Sequence, residues 1–318
     1  MNHETAGEVC RRVLGAVGDA VIADEAFLET IMTGVLGRGH VLLEDVPGTG
    51  KTLTARSFAS ALNLRFRRIQ FTPDLLPADI TGSNIYNEAT GSFEFAEGPV
   101  FANVVLADEI NRAPPKTQAA LLEAMGEKQV TVDGTTHELP DPFFVIATQN
   151  PVEQEGTFGL PEAQRDRFMV KTAIGYPDAA GERELLDHRA DRFEQAPSVD
   201  AVVEAEHVPR LQRVPEEVSV DGKLRDYMVA LGRQTREDGR VDVGVSPRGI
   251  QRLFEAARAG AVLRGRDYVV PDDVKRVVGA VFTHRLVLTA DADVRGVDRS
   301  SVLADVVDSV EVPAVGPE

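Results

Sequence analysis

Long apolar runs are missing from this 318-residue chain: stretches such as Val41 to Leu43 and Val104 to Ala107 fall far short of the roughly 20 residues a bilayer span needs. No segment is a candidate membrane helix. The amino terminus carries Glu4 and Glu8 and lacks a basic segment leading into an apolar region and a cleavage site, so the sequence predicts no secretory leader and a cytoplasmic location. Cysteine is nearly absent. Cys10 stands alone, which rules out an internal disulfide, and with no Cys or His beside it at metal-ligand spacing it reads as a buried or inert thiol. The six histidines are scattered and assemble no recognisable site. Lysine is also scarce, six against 28 arginines, and the 51 acidic residues leave a formal net charge of −17. Duplex binding relies on clustered Lys and Arg that displace counterions, so this excess argues against a nucleic-acid groove as the main surface. It suits either a high-salt cytosol, where screening tames self-repulsion, or a GC-biased genome.

What is present is an ordinary globular composition, 43% hydrophobic, long enough for one sizeable core and a smaller second domain. The first 37 residues have helical periodicity, with Val9, Val13, Ala16 and Val17 on one face and Phe27, Ile31 and Val35 on another. Short β-rich runs then alternate with helical ones: HVLLE, TLTARSFASALNL, RFRRIQF, VFANVVLADE, KTQAALLEAMGEK, FFVIATQ and FMVKTAI. Such alternation predicts an α/β fold, a parallel sheet covered by helices on both faces. Two hairpins interrupt it. One pairs Asn84 to Asn87 with Ser92 to Phe95, and the other folds QVTV onto THEL around Asp133-Gly134, a dipeptide suited to a type I′ turn. Beyond Tyr176-Pro177 the strands disappear, and helices are expected at Asp178 to Asp191, Asp221 to Glu237, Pro247 to Arg264 and Pro271 to Arg285. The chain therefore divides into residues 1–177 and an all-helical unit over 178–318, whose stretch from Asp291 reads as polar with short Val-rich runs and a loose tail.

The strongest chemical signal follows HVLLE and precedes a helix: Asp45, Val46, Pro47, Gly48, Thr49, Gly50, Lys51 and Thr52, with Leu53 continuing into the helix. Glycines let backbone N–H groups face phosphates, the helix N-terminus adds its positive end, Lys51 reaches the β and γ phosphates of ATP, and Thr52 offers a hydroxyl to Mg²⁺. The usual phosphate-loop pattern begins with Gly where this chain has Asp45; Gly48 and Gly50 keep the close-approach positions, so phosphate binding is expected to survive. A second signal is the apolar strand ending in Asp108-Glu109. One carboxylate is needed for the metal and one for the attacking water, so Asp108 is assigned to Mg²⁺ and Glu109 to the water. Asn150 ends a further strand, where it could touch the γ-phosphate or the water. Arg165 and Arg167 in PEAQRDRF and Arg248 in SPRGIQRL are candidates for stabilising charge on the transferring phosphoryl group, in cis or from a neighbour.

Taken in order, EDVPGTGKT, ADEINRAPPKTQAALLEAMGEKQV (Ala107 to Val130), ATQNP, EGTFGLPEAQRDRF (Glu155 to Phe168) and VSPRG closely resemble the motifs of the MoxR family of AAA+ ATPases, over residues 40–285. The resemblance implies an αβα nucleotide-binding core, an insertion in helix 2, a hairpin before sensor 1, a helical lid and a hexameric ring. It further implies Lys51 and Thr52 as Walker A, Asp108 and Glu109 as Walker B, Asn150 as sensor 1, Arg167 as arginine finger and Arg248 as sensor 2. The family usually has Leu where this chain has Arg165, which leaves two candidate fingers. Members act as chaperone-like ATPases that mature protein complexes or insert metal cofactors, often with partners bearing von Willebrand factor A domains. Rival readings are a magnesium chelatase motor subunit, a nucleic-acid motor, disfavoured by the Glu-rich NEATGSFEFAEGP hairpin, a small-molecule P-loop kinase, disfavoured by Arg248 and Arg167, and a nucleotide-gated scaffold with little turnover.

Overall fold

A computed structural model describes residues 1–151, 157–191 and 197–314; Glu155 and Gly156, which open one of the motifs above, and 315–318 of the tail lie outside the described residues. The chain begins with α1 (His3–Gly18) and α2 (Glu25–Leu36). Asn2 caps α1 by accepting the Thr5 N–H at 2.8 Å, and the buried stripe is Ala6, Cys10, Val13 and Val17 at helical spacing. Val9 and Ala16, expected on that stripe, lie at its half-buried margins.

The core then runs β1 (His40–Glu44), α3 (Lys51–Ala61), β2 (Phe66–Gln70), α4 (Pro77–Thr81), β3 (Gly82–Asn87), β4 (Ser92–Glu97), β5 (Val104–Asp108), α5 (Pro115–Glu127), β6 (Gln129–Val132), β7 (Thr135–Glu138), β8 (Phe144–Gln149), α6 (Glu162–Arg165) and β9 (Phe168–Thr172). Five of these strands form one parallel sheet in the order β2-β5-β8-β1-β9. Alternation of side chains divides its inner strands between two apolar layers. Val41, Leu43, Val104, Leu106, Phe144 and Ile146 face α1 to α3, whereas Leu42, Val105, Ala107, Val145 and Ala147 face α4 and α5. Because both faces are covered, β1, β5 and β8 are apolar nearly throughout. Their carboxyl ends lie side by side, where a parallel sheet places its ligand site.

Both expected hairpins form. β3 and β4 are each longer than their sequence signal, and Asp133 (φ 49°) and Gly134 (φ 81°) have the paired positive φ angles of a type I′ turn. The hairpins touch: Asn84 donates to Asp133 at 2.8 Å, and Phe95 stacks on His137 with ring centroids 3.8 Å apart.

The second unit contains α7 (Ala179–Ala190), α8 (Val208–Leu211), α9 (Gly222–Glu237), β10 (Val241–Val243), α10 (Pro247–Leu263), α11 (Pro271–Phe282), β11 (Val287–Leu288), α12 (Ala290–Val294) and α13 (Arg299–Ser309). It is helical as expected, with one addition: β10 and β11 form a small antiparallel pair that buries Val241 and Leu288. The stretch from Asp291, read as polar with short Val-rich runs, also holds α13, a helix not assigned from the sequence. Asp298 caps α13 by accepting the Ser301 N–H at 3.1 Å, and Val302, Leu303 and Val306 dock one side of it. This unit is not a loose appendage. Its core is continuous with the α1–α3 layer, and α1 packs on α10 so closely that a β-carbon at Gly7 would sit 2.9 Å from the Val262 carbonyl oxygen.

Candidate active site

The carboxyl ends of β1, β5 and β8 open into a cavity of about 440 Å³ lined by Pro47, Gly48, Gly50, Lys51, Thr52 and Leu53 from the loop and α3, by Asp108 and Glu109 from β5, and by Thr148, Gln149 and Asn150 from β8, with Arg68 reaching in from β2. Gly48 (φ 87°) and Gly50 (φ 93°) take the left-handed conformation that lets the loop wrap an anion with its N–H groups, and Gly50 opens α3 without a side-chain cap. The orphan amides and positive end of α3 therefore face the cavity. Lys51 Nζ folds over the loop onto the carbonyls of Asp45 (3.0 Å) and Val46 (2.6 Å), so a phosphate would take over an ammonium already at the site. Asp45, Val46 and Thr49 do not line the cavity. Thr49 Oγ1 donates back to the Val46 carbonyl at 3.3 Å, and the Asp45 carboxylate is turned away, accepting the N–H groups of Val46, Ile174 and Gly175 at 2.8 Å each.

Asp108 and Glu109 separate in their partners. Asp108 is buried, with Oδ1 accepting the Thr148 hydroxyl at 2.6 Å and Oδ2 accepting Arg68 Nε at 2.9 Å and Nη2 at 2.6 Å. Glu109 has φ 57°, a strained value for a residue with a side chain, and its N–H donates to Thr148 Oγ1 at 2.8 Å. This turn directs two successive carboxylates differently, and Glu109 Oε2 accepts Gln70 Nε2 at 2.7 Å with Arg112 Nε 3.4 Å away. Thr148, Arg68, Gln70 and Arg112 were not singled out in the sequence. The alternation in RFRRIQF put Arg68 and Gln70 on one face, but only the register of β2 against β5, Gln70 beside Asp108, shows which carboxylates they meet.

The donor set fits Mg²⁺. Thr52 and Asp108 offer hard oxygen ligands in the cavity that holds Lys51, and among the described residues no cluster of three or more His, Cys, Asp or Glu makes an all-protein cage. One hydroxyl, one carboxylate and substrate phosphates are the usual arrangement for this ion.

Arg167 and Arg248 lie apart from that cavity. Arg167 Nη1 donates to the Leu122 carbonyl of α5 at 2.5 Å, over Gly126. Arg248, in the first turn of α10 behind the Ser246 cap, approaches Asp166 at 3.8 Å, and Arg285 holds the same carboxylate at 2.7 Å. Arg285 is nearly buried, and desolvation pulls its guanidinium down to about 10 against the opposing pull of Asp166. Arg165 is half-buried: burial, then the nearby Arg299, lowers its pKa, and its Nε has no hydrogen-bond partner among the described residues. Arg165, Arg167 and Arg248 thus have different partners, and none of the three lines the chain's own phosphate cavity.

Comparison with known proteins agrees with this geometry. The family model described as "ATPase family associated with various cellular activities (AAA)" matches residues 40–170, and that of the AAA lid domain matches 233–306. Chaperone MoxR1 of Mycobacterium tuberculosis is 43% identical over 96% of this chain and 82% of its own length. YeaC of Bacillus subtilis is 47% identical over 89% of this chain and 88% of its own. A solved structure of a proposed ATPase from Cytophaga hutchinsonii, 38% identical, superposes with a TM-score of 0.91 over 98% of this chain and 97% of that one. Phosphate loop, paired carboxylates, two hairpins and helical lid occur together in one fold, and with a MoxR relative matching along nearly its whole length, the chain belongs to the MoxR family of AAA+ ATPases.

Proposed function

We propose that this protein hydrolyses Mg²⁺-ATP in the cytoplasm as a hexameric ring and uses the cycle to remodel or mature a protein complex, including by metal-cofactor insertion. The observation that carries the catalytic part is the convergence of Lys51, Thr52, Asp108, Glu109 and Asn150 on one cavity, with Glu109 held in left-handed backbone. Lys51 and the amides of the loop neutralise the β and γ phosphates; Mg²⁺, when held by Thr52 and Asp108, adds charge neutralisation there. Glu109, free of metal duty, orients a water and accepts its proton as the water oxygen bonds to the γ-phosphorus and the bond from that phosphorus to the β–γ bridging oxygen breaks, releasing ADP. Asn150 is placed to hold the γ-phosphate or the water.

The ring reading rests on where the arginines are. Arg167 lies just past α6 against α5, and Arg248 opens α10 of the lid; neither lines its own phosphate cavity, which suits a site completed by a neighbour's guanidinium. A protein client is favoured over nucleic acid by the hairpins: residues 82–98 hold Glu88, Glu94 and Glu97 and no Lys or Arg, and Phe93 at 71% exposed stacks edge-on with Tyr86. The MoxR resemblance points to a von Willebrand factor A domain protein as that client. Comparing Lys51→Ala with Glu109→Gln tests the catalytic assignment. The first should lose binding of a fluorescent ATP analogue; the second should bind it near normally and lose turnover by about 10² or more. Equal loss of binding in both would overturn the role given to Glu109.

A further inference from the structure

The phosphate loop opens on an aspartate where the common pattern has glycine, and the structure gives that side chain a task the catalytic reading does not use. Asp45 is 6% exposed. Oδ1 accepts the N–H of Val46, and Oδ2 accepts two successive N–H groups from Ile174 and Gly175, all at 2.8 Å. Gly175 has φ 71°, and the two amides converging on one oxygen make the backbone concavity that favours an anion. Residues 173–178 are the connector from β9 to α7, the first helix of the lid. Asp45 therefore clasps the phosphate loop to the strap that leads into the lid. At its far end the strap is fixed in turn: the Asp178 side chain caps α7 through Gly181 at 2.9 Å, and a β-carbon at Gly181 would meet Pro177 and Ile22.

The other side of the same residue is held by the catalytic lysine. Lys51 Nζ donates to the carbonyls of Asp45 and Val46, bonds that arriving phosphates must compete for. Occupancy of the cavity thus changes the hold on the Asp45 backbone while the carboxylate keeps its grip on the connector. We infer that Asp45 is a positioning residue that couples nucleotide occupancy of the phosphate loop to the β9–α7 connector and so to the lid. A glycine at this position would leave the phosphate cradle intact and the connector amides without an anion. This rests on the reading of the cavity as an ATP site.

The test is hydrogen exchange of the full-length protein with and without a slowly hydrolysed ATP analogue, alongside binding and steady-state kinetics, for wild type, Asp45→Gly and Asp45→Asn. In wild type the analogue should slow exchange at Ile174 and Gly175. In Asp45→Gly those amides should exchange at least about tenfold faster and no longer respond to the analogue, because charge-assisted hydrogen bonds are lost. Analogue affinity and KM should stay within about threefold, since the cradle and Lys51 remain, whereas kcat should fall about tenfold as the lid loses its cue. Asp45→Asn keeps one acceptor oxygen and should restore part of the connector's protection and of kcat. Should Asp45→Gly not fold, Asp45→Asn decides alone, with protection and kcat expected below wild type. Connector exchange that responds to nucleotide equally in the variants and wild type would overturn the inference, as would a loss of affinity with kcat unchanged. No analogue binding by the wild type would instead overturn the ATP site itself.

Discussion

At the scale of single residues, the site assigns different work to neighbouring groups by giving them different partners. Asp108 is held on one oxygen by Thr148 and on the other by Arg68, whereas Glu109 is held through one oxygen by Gln70 and turned by its own backbone. Thr148 is the hinge of this arrangement, fully buried, accepting from the Glu109 amide and donating to Asp108. Replacing it by Val keeps the volume but leaves the Glu109 N–H and one Asp108 oxygen without that partner, a cost of about 1–3 kcal/mol for each buried group. Thr148→Val should therefore lower kcat at least about tenfold and lower the melting temperature, measurable by ATPase assay and calorimetry. Normal turnover would show that Glu109 needs no fixed amide. The loop, the carboxylate pair and Asn150 were legible in the sequence because contiguous residues carry them. Thr148, Arg68 and Gln70 were not, since their roles come from strand register, which no local pattern states.

Elements explain what single residues cannot. α5 carries Gly126 where its backbone meets Arg167, and a β-carbon there would collide with Nη1. Alanine favours a helix over glycine by up to about 1 kcal/mol, so Gly126→Ala should leave the fold as stable or more so. Yet it should displace Arg167 and reduce turnover with ATP-analogue binding unchanged. Unaltered turnover would mean the position of Arg167 in the isolated subunit is irrelevant to catalysis. Two buried histidines also tie elements together. His40 of β1 accepts the Val145 N–H at 3.1 Å and faces the Met125 carbonyl at 3.1 Å; burial lowers its pKa to about 4. His284 lies against the Phe168 carbonyl with its pKa lowered well below the ordinary value, by burial first and then by Arg285. Both are neutral when folded and bind protons more readily when unfolded. Their stabilisation is thus complete above pH about 6.5 and is lost as pH falls below it, down to about 4 for His40, at up to about 2.7 kcal/mol per pH unit for two protons. Chemical denaturation at pH 7 and pH 5 should show the fall, and His40→Gln should reduce its slope; an unchanged slope would show that His40 does not contribute to it. These helices and strands were largely legible because apolar periodicity marks them. The β10–β11 pair and α13 were not, because two- and three-residue strands carry no period and the Val-rich turns of α13 acquire a face only against α9 and α11.

For the whole molecule, charge and symmetry decide behaviour. A net charge of −17 implies self-repulsion that salt screens, so thermal stability, and assembly of the proposed ring, should rise between low and molar KCl. A melting temperature unchanged or lower at molar KCl would leave genome composition as the explanation for the acid excess. The proposed ring implies a shared catalytic site, phosphate loop and Glu109 from one subunit and Arg167 from the next. Arg167→Ala and Glu109→Gln should each be nearly inactive alone while binding ATP, because each lacks a different half. Mixed in equal amounts they should recover activity, to about a quarter of wild type if subunits assemble at random and interfaces act independently. The direct measurement is ATPase activity of that mixture, with mixed rings confirmed by native mass spectrometry. Recovery is the predicted result. Mixed rings that remain inactive would contradict a site shared through Arg167, and recovery with Arg165→Ala in its place would move the role to Arg165.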